Sequence, residues 1–134
     1  MRDYVHQQTA ELLRRFAAEV NRTAKSDDPE CIHDLRVSIR RLSGCLRAFS
    51  RFYPEGAAKR LRCELAELRD LAGTVRDRHI ALDLLAQCGI GGQAPIVTRL
   101  EADGRAAGDR LLQEVCRWKT RDFSRKWSRK LGLR

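Results

Sequence analysis

The stretch Ile32-His33-Asp34-Leu35-Arg36-Val37-Ser38-Ile39-Arg40-Arg41-Leu42-Ser43-Gly44-Cys45-Leu46 decides the fold. Its apolar residues Ile32, Leu35, Ile39, Leu42 and Leu46, continued by Phe49 and Tyr53, step by three and four without a miss. That spacing lays them along one side of an α-helix and does not fit a strand, whose faces alternate every second residue. Upstream, Asp28-Pro29 sets a capping carboxylate before an N1 proline and so starts the helix. Downstream, Tyr53-Pro54-Glu55-Gly56 breaks it.

The same period runs outward in both directions. A first helix over about residues 3–23 carries Val5, Leu12, Phe16 and Val20, and Lys25-Ser26-Asp27 ends it. A third begins after Gly56 and reaches about residue 86, with Leu61, Leu65, Leu68, Ala72, Val75 and Leu82 in one register and a kink expected at Gly73. Gly89-Ile90-Gly91-Gly92 reads as a loop. Pro95 then opens a fourth helix with Val97, Leu100, Ala107, Leu111, Val115 and Trp118, on which Gly104 and Gly108 would admit a close neighbour. Residues 118–134 form a basic segment whose short helix bears Phe123, Trp127 and Leu131 and is expected to pack on the others. Four amphipathic helices with short connections predict an all-α, antiparallel four-helix bundle with a short C-terminal helix, in one domain over residues 1–134.

Composition agrees. A chain of 134 residues with 43% apolar content can build a core and is not a disordered polycation. No apolar run approaches the roughly 18 residues of a membrane span, and no signal-peptide stretch follows Met1, so a cytoplasmic protein is expected. The five cysteines, Cys31, Cys45, Cys63, Cys88 and Cys116, form no C-x-x-C pair and cannot all pair with one another. Neither a zinc site nor any other metal or cofactor is expected. The cysteines are expected to serve as small buried or half-buried hydrophobes, and His6 and His79 as surface or boundary residues.

Charge is the informative quantity. Lys and Arg total 27 against 18 Asp and Glu, a formal net charge of +9. On the second helix His33, Arg36, Arg40, Arg47 and Arg51 follow the apolar seam displaced by one residue, with Arg41 beside them. At 100° per residue His33 and Arg40 differ by about 20°, so the side chains form a stripe. Lys59, Arg62, Arg69 and Arg76 form another on the third helix. Packing the two seams would bring both stripes to one wall. Like charges a turn apart repel, and an anion relieves that repulsion. Arginine forks suit phosphate, so a linear anion with many phosphates fits a ladder of them. Steep salt dependence follows. With His33 at the head of the stripe, binding is expected to strengthen as pH falls through the histidine range.

His33-Asp34-Leu35-Arg36-Val37-Ser38-Ile39-Arg40-Arg41-Leu42 resembles the signature of the CHAD family, the histidine-containing α-helical domain. Leu68-Arg69-Asp70-Leu71-Ala72-Gly73-Thr74-Val75-Arg76-Asp77 is similar to its second hallmark, an L-G-x-x-R-D segment on the following helix. Arg121-Asp122-Phe123 through Leu131 is similar to the segment that closes one family half-domain. The resemblance implies non-enzymatic binding of inorganic polyphosphate, with association to polyphosphate granules. The implied contacts are His33, Arg36, Arg40, Arg41, Arg47, Lys59, Arg62, Arg69 and Arg76. Departures are Ser43 at a position commonly arginine, Ala72 for leucine, and Arg78-His79 for a more apolar pair. A full family domain holds two such bundles, and this length suits one, so a C2 homodimer would rebuild the pair.

Other readings compete. His33-Asp34-Leu35-Arg36 also resembles a phosphoacceptor box, but Val37-Ser38 replaces its Thr-Pro. Nucleic acid, or polyanions in general, is the main alternative partner, although aromatics make up 6% of the chain and none interleaves the stripes to stack bases. The basic tail would suit an anionic membrane surface if its apolar side were free. Catalysis is not expected. Asp70 and Asp77 adjoin Arg69 and Arg76 and are read as orienting them, and Gly89-Ile90-Gly91-Gly92 lacks the Lys-Ser/Thr of a phosphate loop.

Overall fold

The computed structural model describes residues 1–26 and 28–133; Asp27 of the expected linker and Arg134 of the expected tail lie outside the described residues. The regular elements among the described residues are all helices, with no strand. The helices are α1 (Arg2–Lys25), α2 (Pro29–Ala48), α3 (Ala57–Gln87), α4 (Pro95–Thr120) and α5 (Phe123–Lys130), with a 3-10 turn at Ser50–Phe52. The Asp28 carboxylate accepts the Glu30 amide at 3.0 Å, and Pro29 occupies the first turn of α2, as its sequence dictates.

Consecutive long helices pack on one another, and α1 also packs on α4. Between them lies one core. Leu35, Ile39, Leu42 and Leu46 of α2 join Leu61, Leu65, Leu68 and Ala72 of α3 in it, each fully buried. Phe16 of α1, Trp118 of α4 and Phe123 of α5 meet edge to face, with centroids 5.1 to 5.4 Å apart. Trp127 and Leu131 are buried beside them, so the apolar side of the basic tail is spent on the protein itself. Asp122 makes the turn into α5 at φ 48°, a left-handed conformation that a short polar side chain tolerates.

The seam of α2 outlasts its helix. The α-helix stops at Ala48, and Tyr53 is buried from an extended backbone (φ −118°, ψ 160°), because the residue before a proline is pushed out of the helical region. A polar network fixes that corner. Thr9 Oγ1 donates to the Val5 carbonyl at 2.7 Å, so the Tyr53 hydroxyl, 2.6 Å away, donates to Thr9, with Cys45 Sγ beside both. Burial is the main cause that pushes the Tyr53 phenol up to about 12. His6 Nε2 donates to the Phe52 carbonyl at 2.8 Å and stacks on the Tyr53 ring. On α1, Thr9 and Leu13 are buried where periodicity pointed to Leu12, which is half-buried.

Two expectations are corrected in part. Cys31 is buried and Cys45 half-buried, but Cys63, Cys88 and Cys116 are exposed: Cys63 and Cys116 face away from the seams of α3 and α4, and Cys88 lies in the turn that follows α3. Of the two small positions on α4, a Cβ at Gly104 would touch the Arg78 side chain at 3.7 Å, whereas one at Gly108 meets nothing within 4 Å. A cleft of about 690 Å³ opens there, lined by Thr23, Lys25, His79, Leu82, Arg105 and Leu112 among others. At 31 residues α3 is about 46 Å long, against about 30 Å for the 20 residues of α2. Ile80 and Leu84 toward the end of α3 and Ile96 at the start of α4 are 43 to 55% exposed.

Candidate anion-binding groove

Which way each cation faces follows from the contacts on the other flank of its helix. On α2, Asp34 reaches α1 through Arg22 Nη1 at 2.6 Å, and Cys45 reaches it through Thr9. His33, Arg36, Arg40 and Arg47 lie across the buried seam from these, on the flank toward α3. On α3, Arg78 points to Asp103 of α4 and Glu64 to Arg121 beyond α4, each at 3.9 Å. Arg62, Arg69 and Arg76 lie across the seam from those two, on the flank toward α2. The two stripes therefore border one groove, since α2 and α3 pack together.

Arg41 stands apart from it. Arg41 lies in a second groove, between α1 and α2, with Leu12, Arg15, Glu19, Asp34 and Ser38. One residue along a helix is about 100°, so the paired Arg40-Arg41 serves two different faces. Lys59 is exposed in the first turn of α3 and stands to Arg62 as His33 stands to Arg36, at the margin of the stripe. Arg51, expected at the end of the α2 stripe, belongs to the 3-10 turn, and its guanidinium lies over the Phe52 ring at 5.0 Å.

The groove cations lack acidic partners. Among the described residues, no carboxylate lies within 4.0 Å of His33, Arg36, Arg40, Arg47, Arg62 or Arg76; Arg69 reaches its neighbour Asp70 at 3.7 Å, and Asp77 pairs with nothing. The acid next to His33 is committed to Arg22 on the opposite flank. Arg36 is half-buried, and its Nε is buried with no acceptor. A buried donor without a partner costs about 1–3 kcal/mol, which an anion in the groove would offset. Two side chains of the distant cleft, Thr23 and His79, also carry a buried unpartnered polar atom, so His79 is a boundary residue with an unused Nδ1.

The groove can hold an extended anion by charge-assisted hydrogen bonds along its length. His33 to Arg47 spans 14 residues, about 21 Å of helix. Gly44 lies four residues after Arg40 and three before Arg47, and Gly73 stands in the same relation to Arg69 and Arg76. A Cβ at either would meet nothing within 4 Å, so the space between successive arginines is open. Among the described residues no group of three or more His, Cys, Asp and Glu is placed to hold a metal ion, and no helix is long and apolar enough to cross a membrane.

Neither a curated protein nor a solved structure matches the chain. Residues 7–133 match the CHAD domain, nearly the whole length, and the protein therefore belongs to the CHAD domain family.

Proposed function

We propose that the protein binds inorganic polyphosphate, without chemically altering it, along the groove between α2 and α3. The observation that carries this reading is the wall of arginines on the facing flanks of the two helices with no carboxylate to neutralise it. Membership of the CHAD family supports it from a separate direction. We infer that the four long helices form an antiparallel bundle, since short connections between packed helices favour that direction. In such a pair the seven-residue steps run oppositely, and His33, Arg40 and Arg47 face Arg76, Arg69 and Arg62 in turn. A polymer with a phosphate at every unit then meets cations from both sides and releases several counterions. Lys59 extends the α3 stripe by one turn, and Arg41, on the other flank of α2, contributes through long-range attraction. Retention in the cytoplasm on polyphosphate granules is the cellular role that fits. Ile80, Leu84 and Ile96, exposed on the α3–α4 hairpin, suit a homodimer contact; a mass in light scattering that stays monomeric at every concentration would exclude it.

Competition at fixed, near-physiological salt tests the reading. Labelled long-chain polyphosphate is challenged with DNA, RNA and heparin, on wild type and on Arg36→Ala/Arg40→Ala. Polyphosphate is expected to outcompete the others by a wide margin, and the variant to lose that preference. Equal competition by all polyanions, with the variant unchanged, would leave net charge as the whole explanation and favour a general polyanion or nucleic-acid binder.

A further inference from the structure

The second concentration of charge lies elsewhere. Residues 119–134 hold seven basic residues against Asp122, a net of +6. The aromatic and aliphatic side of α5 is consumed by the core, where Phe123, Trp127 and Leu131 are 0 to 5% exposed. The cations are left outside. Lys126 and Lys130 lie over the Trp127 ring with Nζ 5.7 and 5.2 Å from its centroid, an arrangement that aligns both ammonium groups along one edge of the helix. Among the described residues Lys119, Lys126, Arg129 and Lys130 have no carboxylate within 4.0 Å; Arg125 reaches Asp122 at 3.6 Å, and both are largely exposed. Repulsion within so short a helix again calls for an outside anion.

The position of α5 gives this patch its meaning. It packs on α1 and α4, whereas the groove lies between α2 and α3, the other pair in the ring of contacts. The two patches lie on different helix pairs, and α5 ends beside the connection between α2 and α3, where a Cβ on Gly132 would lie 3.8 Å from Pro54. A stretch of polymer lying along α2 and α3 has to turn past that connection to reach the cations of α5.

We propose that the exposed side of α5 is a second, independent polyphosphate-binding face, so that one protein molecule bridges two strands or two distant stretches of the polymer. This inference rests on the groove reading above for its ligand and goes beyond it in valence. The residues assigned are Arg125, Lys126, Arg129 and Lys130. A protein with one face coats polymer; a protein with two cross-links it, because the second contact forms at the high effective concentration set by the first.

Stoichiometry decides the matter. Oligophosphate trimmed to about the length of α5, roughly 12 Å, is added to saturation in equilibrium dialysis against wild type, Arg125→Gln/Arg129→Gln/Lys130→Gln, and Arg40→Gln/Arg69→Gln. The expected result is two oligomers per wild-type chain and one per chain in each variant. With long-chain polymer, wild type is expected to raise light scattering steeply, and then to clear when polymer is in large excess. The α5 variant should stay clear throughout while keeping its affinity for the short oligomer. One oligomer per wild-type chain, lost in the Arg40/Arg69 variant and kept in the α5 variant, overturns the second face and leaves the groove reading intact. One oligomer lost in the α5 variant alone overturns both. The substituted α5 positions are on the helix exterior, and an unchanged melting temperature checks that the fold is retained.

Discussion

Two faces of this protein carry arginines at the same helical spacing and use them oppositely. On α1, Arg14 and Arg15 share Glu11, and Arg22 divides itself between Glu19 and Asp34. Those partners hold the Glu11 carboxyl below its usual range, with the hydrogen bond from Arg14 the largest cause, and push Arg22 up, chiefly through Asp34. Across the molecule, His33, Arg36, Arg40, Arg47, Arg62 and Arg76 have no such partner. The residue type and the period are the same, and the difference lies in where the carboxylates stand. An arginine with its own acid is a surface ion pair of small energetic consequence, whereas a row without acids keeps its charge for an outside anion, which is the basis of the function proposed above.

The most direct way to break that contrast is to give the groove what α1 already has. Gly44→Glu with Gly73→Glu sets a carboxylate between successive groove arginines without deleting any of them. Polyphosphate affinity, read by dialysis or anisotropy, should fall at least about tenfold, the equivalent of one lost charge-assisted hydrogen bond. The matched pair Gly44→Ala/Gly73→Ala should keep its affinity and gain about 0.5–1 kcal/mol per site in chemical denaturation, because glycine is a poor residue inside a helix. If the alanine pair loses affinity as well, open space rather than charge governs the groove, and the contrast fails.

A smaller effect separates binding from stability at the corner after α2. Tyr53→Phe should cost about 1 kcal/mol, the typical net value of one hydrogen bond, with affinity unchanged. The folded protein holds the Tyr53 proton up to about 12, above the ordinary phenol value of 10.0. That contribution is therefore complete below pH 10 and is lost as pH rises from 10 toward 12. Denaturation midpoints followed through that window should drop in wild type and stay flatter in the variant. Smaller again is the loss of stability in Arg22→Ala, read from the denaturation midpoint, because solvent screens a pair this exposed. The smallest is Arg14→Ala/Arg15→Ala, which should leave polyphosphate affinity within about twofold, since both cations are already paired and surface pairs are weak. A loss there as large as in the groove would mean that charge count governs binding.

The sequence made the helices legible because each seam repeats long enough to exclude a strand, from Ile32 to Leu46 and again from Leu61 to Val75. It made the stripes legible for the same reason, since a residue one step from a buried seam must border it. Periodicity along one helix is silent about which neighbour each border faces. That is why Arg41 was grouped with Arg40, although α1 claims its side of α2. Phe49 and Tyr53 keep the helical spacing although the α-helix stops at Ala48 and Pro54 holds Tyr53 extended, so spacing alone runs α2 past its end. Thr9 in the core escaped notice because its burial depends on the Tyr53 hydroxyl, a partner 44 residues away. Cys63, Cys88 and Cys116 show the limit of residue-type averages, since cysteine is usually buried but follows its helix face when the two disagree.

The unequal lengths of α2 and α3 have a consequence in time. Near Leu61 to Ala72 the third helix is clasped by a core, and its amides can exchange with solvent only when the whole domain opens. Beyond Leu82 it is covered mainly by α4, and its last turns carry Leu84 in the open. Hydrogen exchange along this single helix should therefore form a gradient, slow at the end that borders the groove and fast toward Gln87. The end of α3 beyond Leu82 should open and close many times for each unfolding of the end that carries Arg62 and Arg69.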